Sequence, residues 1–240
     1  MPTSRPKPVT RRERLRAETS GEIKTIALQQ LTRYGAGGIS LRGIAAEMGM
    51  TARAIYTYFP TRDDLITALV DDITTDLAHT LESARDSQRS GGSRLVAWGI
   101  ALRKWATTHP AEFRLIYGDP VPGYVPPLDG PGVRAARRIC GGLNRLVAEE
   151  VSPAHPDLSR TARWSQFPPD YVAKVRAEIP DASPALAALT LRVWGRIHGL
   201  ITLEVYGHLR AVCNDPAAIQ RADLAELVRD LRGNGSPGSA

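Results

Sequence analysis

Residues 40–60, SLRGIAAEMGMTARAIYTYFP, contain two short apolar patterns of helical spacing that are separated by a single glycine. The first pattern predicts a helix that begins after Ser40, and the second predicts a helix that begins after Thr51 and ends before Pro60. Serine and threonine are preferred at helix starts because their side-chain oxygens accept hydrogen bonds from free N–H groups of the first turn. Gly49 permits the tight turn between them, since glycine adopts left-handed backbone conformations without steric cost. The segment is therefore predicted to be a helix-turn-helix.

The rest of the chain carries the same helical periodicity, and no alternation of period two persists long enough to predict a strand. We therefore predict an all-α fold of about nine or ten helices. The first helix is expected to have an apolar face from Ile23 to Tyr34, and the third is expected to reach Tyr58. The longest apolar helix is expected at 184–212 and the last helix at 217–231.

Basic residues are concentrated at the amino terminus. The chain has a formal net charge of +6, and residues 1–18 contain six basic but only two acidic side chains. We predict that 1–18 is a flexible arm that adds phosphate contacts or enters a minor groove; a solvated tail without a partner is the alternative. After the arm we expect a helix-turn-helix domain at 19–65, a helical body at 66–232 and a flexible tail at 233–240.

Several functional classes lack their characteristic patterns in this sequence. No apolar run approaches the roughly 18 residues of a membrane span, and the amino terminus has no apolar signal-peptide core. Cys140 and Cys213 stand far apart and fit a reducing compartment better than a disulfide scaffold. No metal-spaced cluster, phosphate-binding glycine loop or nucleophile motif is present. We therefore expect a cytoplasmic, non-catalytic protein with no metal, no other cofactor and no membrane partner.

The second helix of a helix-turn-helix enters the major groove of DNA, so its exposed side chains are candidate contacts. Arg53 can pair with guanine through two hydrogen bonds, and Ala54 or Thr57 can touch a thymine methyl group. Tyr56 and Tyr58 offer hydroxyl groups to phosphates. Alternatively, either tyrosine packs between helices, and Arg53 lies on a phosphate rather than on a base.

Helix starts supply further candidate phosphate contacts. Ser40 and Thr51 present hydroxyl groups there. Arg62, together with the backbone N–H groups that follow Thr61, predicts an anion site at the start of the fourth helix.

These residues resemble the TetR family of transcriptional regulators. The resemblance is carried by Ile23, Ala27, Leu28, Leu31 and Gly35, by the run ISLRGIAAEMGMTARAIYTYFPTRDDL, and most specifically by residues 55–65. It implies a homodimer with two small DNA-binding heads and a helical ligand-binding body. The DNA contacts that it implies are Ser40, Arg42, Thr51, Arg53, Ala54, Tyr56, Thr57, Tyr58 and Arg62. Gly43 departs from the family pattern, which usually has a polar or charged residue at this point.

The carboxy-terminal part resembles a branch of these regulators whose body carries Trp-x-x-x-His-Gly, which occurs here at 194–199. Such a body implies a cavity for a small apolar ligand, lined by apolar side chains with a few polar groups. The candidate lining residues are Trp98, Trp105, Phe113, Tyr117, Trp164, Trp194, His198 and Tyr206. Ordinary core packing is the alternative for each of them.

We expect the helices at 184–212 and 217–231 to form the dimer interface, because a helix with two apolar faces must bury the second one elsewhere. That second face carries Leu186, Leu191 and Leu203, and Gly195 and Gly199 allow another helix to approach closely. A monomer with a fully internal helix is the alternative.

Together, the motif and the resemblance predict a ligand-responsive repressor that binds a double-stranded, pseudo-palindromic operator as a homodimer. Its recognition helices are expected to lie about one DNA turn, roughly 34–36 Å, apart. Release by a small apolar molecule is expected through a shift between conformations. The alternatives are a helical small-molecule-binding protein or enzyme with a vestigial head, and a DNA-binding activator that needs no ligand.

Overall fold

A computed structural model describes residues 10–88, 93–159 and 161–233. Within these ranges the chain forms ten α-helices and three short 3-10 helices without any strand, which confirms the all-α prediction. The α-helices are α1 (Arg11–Tyr34), α2 (Leu41–Glu47), α3 (Ala52–Ile55), α4 (Arg62–Ser87), α5 (Arg94–Thr108), α6 (Pro110–Tyr117), α7 (Pro131–Glu150), α8 (Pro169–Glu178), α9 (Pro184–Val205) and α10 (Pro216–Leu231). The 3-10 helices are Ala36–Gly38, Pro156–Ser159 and Trp164–Gln166.

Helix α1 begins earlier than the sequence predicted. The Thr10 hydroxyl oxygen accepts a 3.2 Å hydrogen bond from the Glu13 N–H, and the Glu13 carboxylate accepts one of 2.7 Å from the Thr10 N–H. This reciprocal cap satisfies the first turn and is followed by strong helix formers. The prediction of a flexible arm is therefore wrong for residues 11–18. Residues 1–9 of that arm and 234–240 of the predicted tail lie outside the described ranges.

The apolar face of α1 ends one turn earlier than expected. Ile23 and Leu31 are buried, but Tyr34 is 69% exposed. Beyond Tyr34 the backbone turns at Gly35, and a Cβ added to Gly38 would lie only 2.3 Å from the Tyr34 Cβ. The prediction that Tyr34 joins the buried face is wrong because the glycine-rich turn after it brings no side chain to cover the ring.

The described chain divides by packing into two compact units. The first comprises the described residues of Met1–Val70 and Ala111–Pro127, and so includes α1–α3, the start of α4 and most of α6. Its fully buried side chains include Ile44, Ile55 and Phe113. The predicted functional boundary at residue 65 differs from this division, because α4 is continuous and the segment 111–127 packs with the first unit.

The second unit comprises the described residues of Asp71–Pro110 and Leu128–Ala240. In it α5 packs on α9 and α10, and α7 packs on α8 and α9. Helix α10 approaches closely where α5 carries Gly99, since an added Cβ there would lie 2.7 Å from a Leu224 methyl carbon. Arg103 of α5 and Glu204 of α9 form a two-pronged ion pair with N–O distances of 2.7 and 2.5 Å. The second unit is therefore a helical bundle with its own core.

Helix α9 ends at Val205, well before the predicted end at 212. Gly207 adopts a left-handed conformation with φ 83°. The N–H of His208 donates to the carbonyl oxygen of Leu203 at 2.8 Å. This arrangement satisfies the last carbonyl groups and terminates the helix. The predicted end at 212 is wrong because Gly207 ends the helix earlier.

Helix α9 has one buried and one exposed apolar side. Ile197 and Ile201 are fully buried, whereas Leu191 is 49% and Leu203 42% exposed. Leu186, which the sequence assigned to the second apolar face, is buried in the core. The assignment of Leu186 was wrong because the first turn of α9 is covered by the bundle.

Candidate DNA interface

Helices α2 and α3 form the predicted helix-turn-helix, and each begins at its predicted cap. The Ser40 Oγ accepts a hydrogen bond from the Gly43 N–H, and the Thr51 Oγ1 accepts one from the Ala54 N–H, both at 3.2 Å. These hydroxyl oxygens replace water at the free N–H groups of the two first turns. Both side chains therefore hold the motif together, whether or not they also touch DNA.

The turn between the helices has the geometry that the sequence predicted for Gly49. This residue has a left-handed φ of 65°, and the N–H of Met50 donates to the carbonyl oxygen of Ala45 at 2.8 Å. The hydrogen bond closes the end of α2 around the glycine. Ala45 of α2 and Ile55 of α3 are both buried, and the two short helices pack on each other.

Helix α3 is shorter than predicted. It ends at Ile55, and the N–H groups of Thr57 and Tyr58 then bond to carbonyl oxygens three residues back, at 3.1 and 2.9 Å. Three-residue bonding tightens the chain ahead of Pro60, whose ring disfavours helical backbone in the residue before it. The expectation that α3 reaches Tyr58 is wrong, although Tyr56, Thr57 and Tyr58 stay in one compact turn.

A buried glutamine ties α1 to the start of α2. Gln30 is only 9% exposed, and its side-chain oxygen accepts a 3.0 Å hydrogen bond from the Ser40 N–H. A Cβ added to Gly43 would lie 3.3 Å from the Gln30 side-chain nitrogen, so a larger residue there would require a small shift of Gln30. Sequence reasoning missed Gln30, although a polar residue three positions after Ala27 on an apolar face was the available signal.

The surface of α3 presents the side chains that the sequence selected. Arg53, Tyr56 and Thr57 are exposed, while Ala54 and Tyr58 are half-buried. Arg42 on α2 is also exposed, and neither it nor Arg53 forms an ion pair within the described part of the chain. Two unpaired guanidinium groups therefore stand on the two helices of the motif.

The early start of α1 places an arginine against the end of the motif. A terminal guanidinium nitrogen of Arg16 donates to the carbonyl oxygen of Thr57 at 2.8 Å. The same guanidinium lies 5.3 Å from the centroid of the Tyr58 ring, within range of a cation–π interaction. Arg16 thus braces the turn after α3, a role that the flexible-arm interpretation had no means of assigning.

The start of α4 differs from the predicted anion site. The carboxylate of Asp64 accepts hydrogen bonds from the Thr61 N–H at 2.9 Å and from the Thr61 hydroxyl at 2.7 Å. The guanidinium of Arg62 donates to the carbonyl oxygens of Ile39 at 3.1 Å and Ala36 at 2.7 Å. The Thr61 donors and two Arg62 donors are thus used inside the protein. Phosphate contacts by the remaining groups stay a prediction.

The eight candidate ligand residues fall into several separate contacts. In the second unit, Trp98 and Trp194 meet edge to face at 6.2 Å, and Trp194 lies 4.6 Å from the His198 ring. Trp105 stacks on His109 at 5.4 Å, and its indole N–H donates to Asp76 at 3.0 Å. These contacts are consistent with core packing, and ligand contact remains a prediction for each residue.

The other four candidates are Trp164, Phe113, Tyr117 and Tyr206. Trp164 belongs to the second unit, where it meets Phe167 at 5.8 Å and the guanidinium of Arg176 at 5.1 Å. Phe113 and Tyr117 of α6 belong to the first unit, with their rings 5.2 Å apart. Tyr206 is 40% exposed at the end of α9.

His198 is the one histidine among these candidates. Burial lowers the pKa of His198 below its ordinary value. Its Nδ1 lies 3.1 Å from the hydroxyl oxygen of Thr202. The ring is therefore neutral at neutral pH and contributes hydrogen bonding rather than charge.

A cleft of about 360 Å³ lies between α7 and α8, and none of the eight predicted ligand residues lines it. It is lined instead by Val133, Ala136, Arg137, Cys140, Gly141, Asn144, Tyr171, Lys174, Val175, Ala177 and Glu178. The sequence prediction did not include these residues because it rested on aromatic side chains. An asparagine inside the apolar run of α7 was the available signal.

Two absences hold over the described residues alone. Residues 10–88, 93–159 and 161–233 contain no group of three or more histidine, cysteine or acidic side chains arranged to hold a metal ion. No helix in the same ranges has the length and apolar character needed to cross a bilayer.

Helices α2 and α3 form a capped helix-turn-helix around Gly49, and each helix carries an exposed arginine. A separate helical bundle follows in the sequence after α4. Together these features define a helix-turn-helix DNA-binding regulator. The family described as "Bacterial regulatory proteins, tetR family" matches residues 25–69, and the one described as "Tetracyclin repressor-like, C-terminal domain" matches residues 95–227. The chain belongs to the TetR family of transcriptional regulators, and it is a regulator rather than an enzyme.

Individual relatives agree with this assignment. The HTH-type transcriptional regulators Rv1816 of Mycobacterium tuberculosis and Mb1846 of Mycobacterium bovis are each 33% identical over 228 residues, which are 93% of this chain and 96% of each relative. The crystal structure of a protein designated regulatory protein SCO4313 has a TM-score of 0.72 and 32% identity, and the match covers 91% of this chain and 98% of that one. A structure from Rhodococcus sp. RHA1, at 21% identity and a TM-score of 0.62, has the same fold.

Proposed function

We propose that this TetR-family regulator is a repressor that binds a pseudo-palindromic operator as a homodimer and leaves it when a small molecule binds. The observation that carries the proposal is the α3 surface, where Arg53 is exposed without an ion pair among the described residues. A guanidinium in that state is ready to pair with a guanine edge in the major groove. Because the target is the operator in DNA, we place the protein in the cytoplasm.

The homodimer is supported by the exposed side of α9. Leu191, Gly195, Gly199 and Leu203 follow one another at four-residue intervals, and all four are exposed. A Cβ added to either glycine would meet nothing within 4 Å, so the stripe offers an apolar groove to another helix. A second copy of α9 fits it by two-fold symmetry, with α10, where Ile219 is 50% exposed, beside it.

Regulation by a ligand is supported by the composition of the second unit. It contains the Trp98–Trp194–His198 contact and the cleft between α7 and α8, and either supplies apolar surface with few polar groups. A small molecule that binds one conformation better than the other shifts the population away from the DNA-binding form.

Selection of bound sites from random double-stranded DNA by the full-length protein tests the proposal. We expect enrichment of a pseudo-palindrome whose half-sites are about one DNA turn apart, and a complex that weakens steeply as salt increases. Enrichment of an unpaired half-site would contradict the homodimer. Absence of any enriched sequence would contradict operator binding and would favour a vestigial head.

A further inference from the structure

We propose that the cleft between α7 and α8 binds a small amphipathic organic anion, with its apolar body along the cleft and its acidic group at Lys174 and Arg137. This inference deepens the proposed function by giving the effector a site and a chemical class. Only its regulatory consequence rests on the proposed function, since binding itself does not require DNA.

The size and walls of the cleft fit a small organic molecule. Its volume of about 360 Å³ falls within the roughly 300–1,000 Å³ that small-molecule sites occupy. The lining includes Val133 and Ala136 of α7 and Val175 and Ala177 of α8. These side chains are aliphatic, so they hold an apolar body but do not select a particular ring.

A buried polar atom in the lining calls for a hydrogen-bond donor. Asn144 is only 4% exposed, and its side-chain nitrogen donates to the carbonyl oxygen of Cys140 at 2.9 Å. That contact fixes the amide orientation, because a carbonyl oxygen accepts only from the nitrogen. The Asn144 Oδ1 then has no hydrogen-bond partner, and a buried acceptor without a partner is costly. A donor that enters with a ligand or its water would satisfy it after a small side-chain movement.

The Tyr171 hydroxyl is a second polar group in the lining. Burial raises the pKa of Tyr171 above its ordinary value, and the nearby Asn144 amide opposes this as a hydrogen-bond donor. The phenol therefore stays protonated at neutral pH.

The charges in the lining favour an anion. Arg137 and Lys174 both line the cleft and have no ion-pair partner within the described part of the chain. The only carboxylate in the lining, Glu178, already pairs with Arg145. Two uncompensated cations beside an apolar wall therefore select an acidic head group rather than a basic one.

Cys140 gives the cleft a built-in reporter. Its side chain is exposed within the cleft, and desolvation raises the pKa of the thiol while Lys174 opposes the shift. The thiol is thus mostly protonated at neutral pH and reacts slowly, as a probe of occupancy should. Replacing Cys213, the only other cysteine, by serine makes Cys140 the sole site of alkylation.

The first test uses two fluorescent probes with the same aromatic body. Anilinonaphthalene sulfonate carries an acidic group, and N-phenyl-1-naphthylamine lacks it. In titrations of the full-length protein we expect Lys174→Gln to weaken binding of the sulfonate about tenfold, equivalent to about 1.4 kcal/mol, and to leave the neutral probe unchanged. Equal affinity of the sulfonate for the wild type and for Lys174→Gln would overturn the placement of the acidic group at Lys174.

The second test fills the cleft. Ala177→Trp places a large ring in the lining, whereas Ala173→Trp adds the same ring to an exposed position of α8 outside it. We expect the first variant to lose both probes and the second to bind them normally, with both variants folded by circular dichroism. In the Cys213→Ser protein, saturating sulfonate is expected to slow alkylation of Cys140. Probe binding by Ala177→Trp, or unchanged alkylation, would overturn the site.

Operator binding separates this inference from the proposed function. If the sulfonate occupies the cleft and also releases the selected operator from the wild type but not from Ala177→Trp, both stand. If it occupies the cleft and leaves operator affinity unchanged, the site stands and its regulatory role is contradicted.

Discussion

The guanidinium of Arg16 donates a 2.8 Å hydrogen bond to the carbonyl oxygen of Thr57, a residue 41 positions later in the chain. This contact joins the first helix to the turn that follows α3. The basic segment near the amino terminus therefore does more than contribute charge, because it also holds the recognition surface in place. We call such a contact a brace. The side chains that we propose to contact DNA depend on such braces for their position.

Arg16→Ala should weaken operator binding more than removal of a neighbouring charge. Arg16 makes the Thr57 hydrogen bond and covers the Tyr58 ring, and such contacts contribute about 0.5–1.5 kcal/mol each. Arg12→Ala removes the same charge from an exposed position of α1. Fluorescence anisotropy at several salt concentrations compares the two variants. Equal losses for both would mean that Arg16 acts through charge alone.

Gln30→Leu should destabilise the head. The substitution leaves the Ser40 N–H without its acceptor in a partly buried position, at a cost of about 1–3 kcal/mol. Gln29→Leu is the matched control, because Gln29 is the adjacent, exposed residue of α1. Urea unfolding measures both free energies. A Gln30→Leu protein as stable as the Gln29→Leu protein would show that the hydrogen bond is dispensable.

Substitution by alanine should change the stability of the protein in opposite directions at two glycines. Gly49→Ala forces a side chain into a left-handed conformation, at a cost of about 1–2 kcal/mol. Gly142→Ala lies inside α7, where an added Cβ meets nothing within 4 Å, so helix propensity should stabilise the protein by up to about 1 kcal/mol. Thermal unfolding of the two variants checks both predictions. A Gly49→Ala protein as stable as the wild type would refute the account of the Gly49 turn.

Gly199→Leu should dissociate the proposed homodimer without unfolding the protomer. A Cβ added to Gly199 meets nothing within 4 Å, so we expect the new side chain to be tolerated by the protomer and to clash with the second copy in the proposed interface. Sedimentation velocity should show a loss of dimer, while circular dichroism stays unchanged. Gly142→Leu controls for the added apolar surface, because it makes the same substitution on α7, outside the proposed interface, where an added Cβ also meets nothing within 4 Å. A Gly199→Leu protein that remains dimeric would place the interface elsewhere.

The local signals in the sequence predicted most of the fold. The caps at Ser40 and Thr51 and the turn at Gly49 depend on residues next to one another, and the structure has all three. The predictions were wrong where tertiary contacts or a local capping residue, rather than the apolar pattern, decided where a helix begins or ends. Gly207 ended α9 inside a pattern that remained apolar, and Thr10 started α1 inside a segment interpreted only by its charge.

The same distinction between local and distant contacts applies to the candidate DNA interface and to the cleft. Exposure of Arg53 followed from helical spacing, because α3 buries the side that carries Ile55 and leaves the side that carries Arg53 exposed. The pairings of Arg16 with Thr57 and of Gln30 with Ser40 join distant segments, which periodicity cannot register. The cleft between α7 and α8 likewise depends on how two helices pack, and its decisive groups are single polar residues on otherwise apolar faces.

The most direct test of base readout by α3 is operator binding by Arg53→Ala, measured beside Arg134→Ala, an exposed charge-matched control on α7 in the second unit. The selected operator and random DNA are titrated with each protein across a range of salt concentrations. We expect Arg53→Ala to lose about 1–3 kcal/mol on the operator and little on random DNA, with relaxed selectivity at one base pair in each half-site. Full affinity and selectivity in Arg53→Ala, or an equal loss on both DNAs, would contradict base readout by this residue.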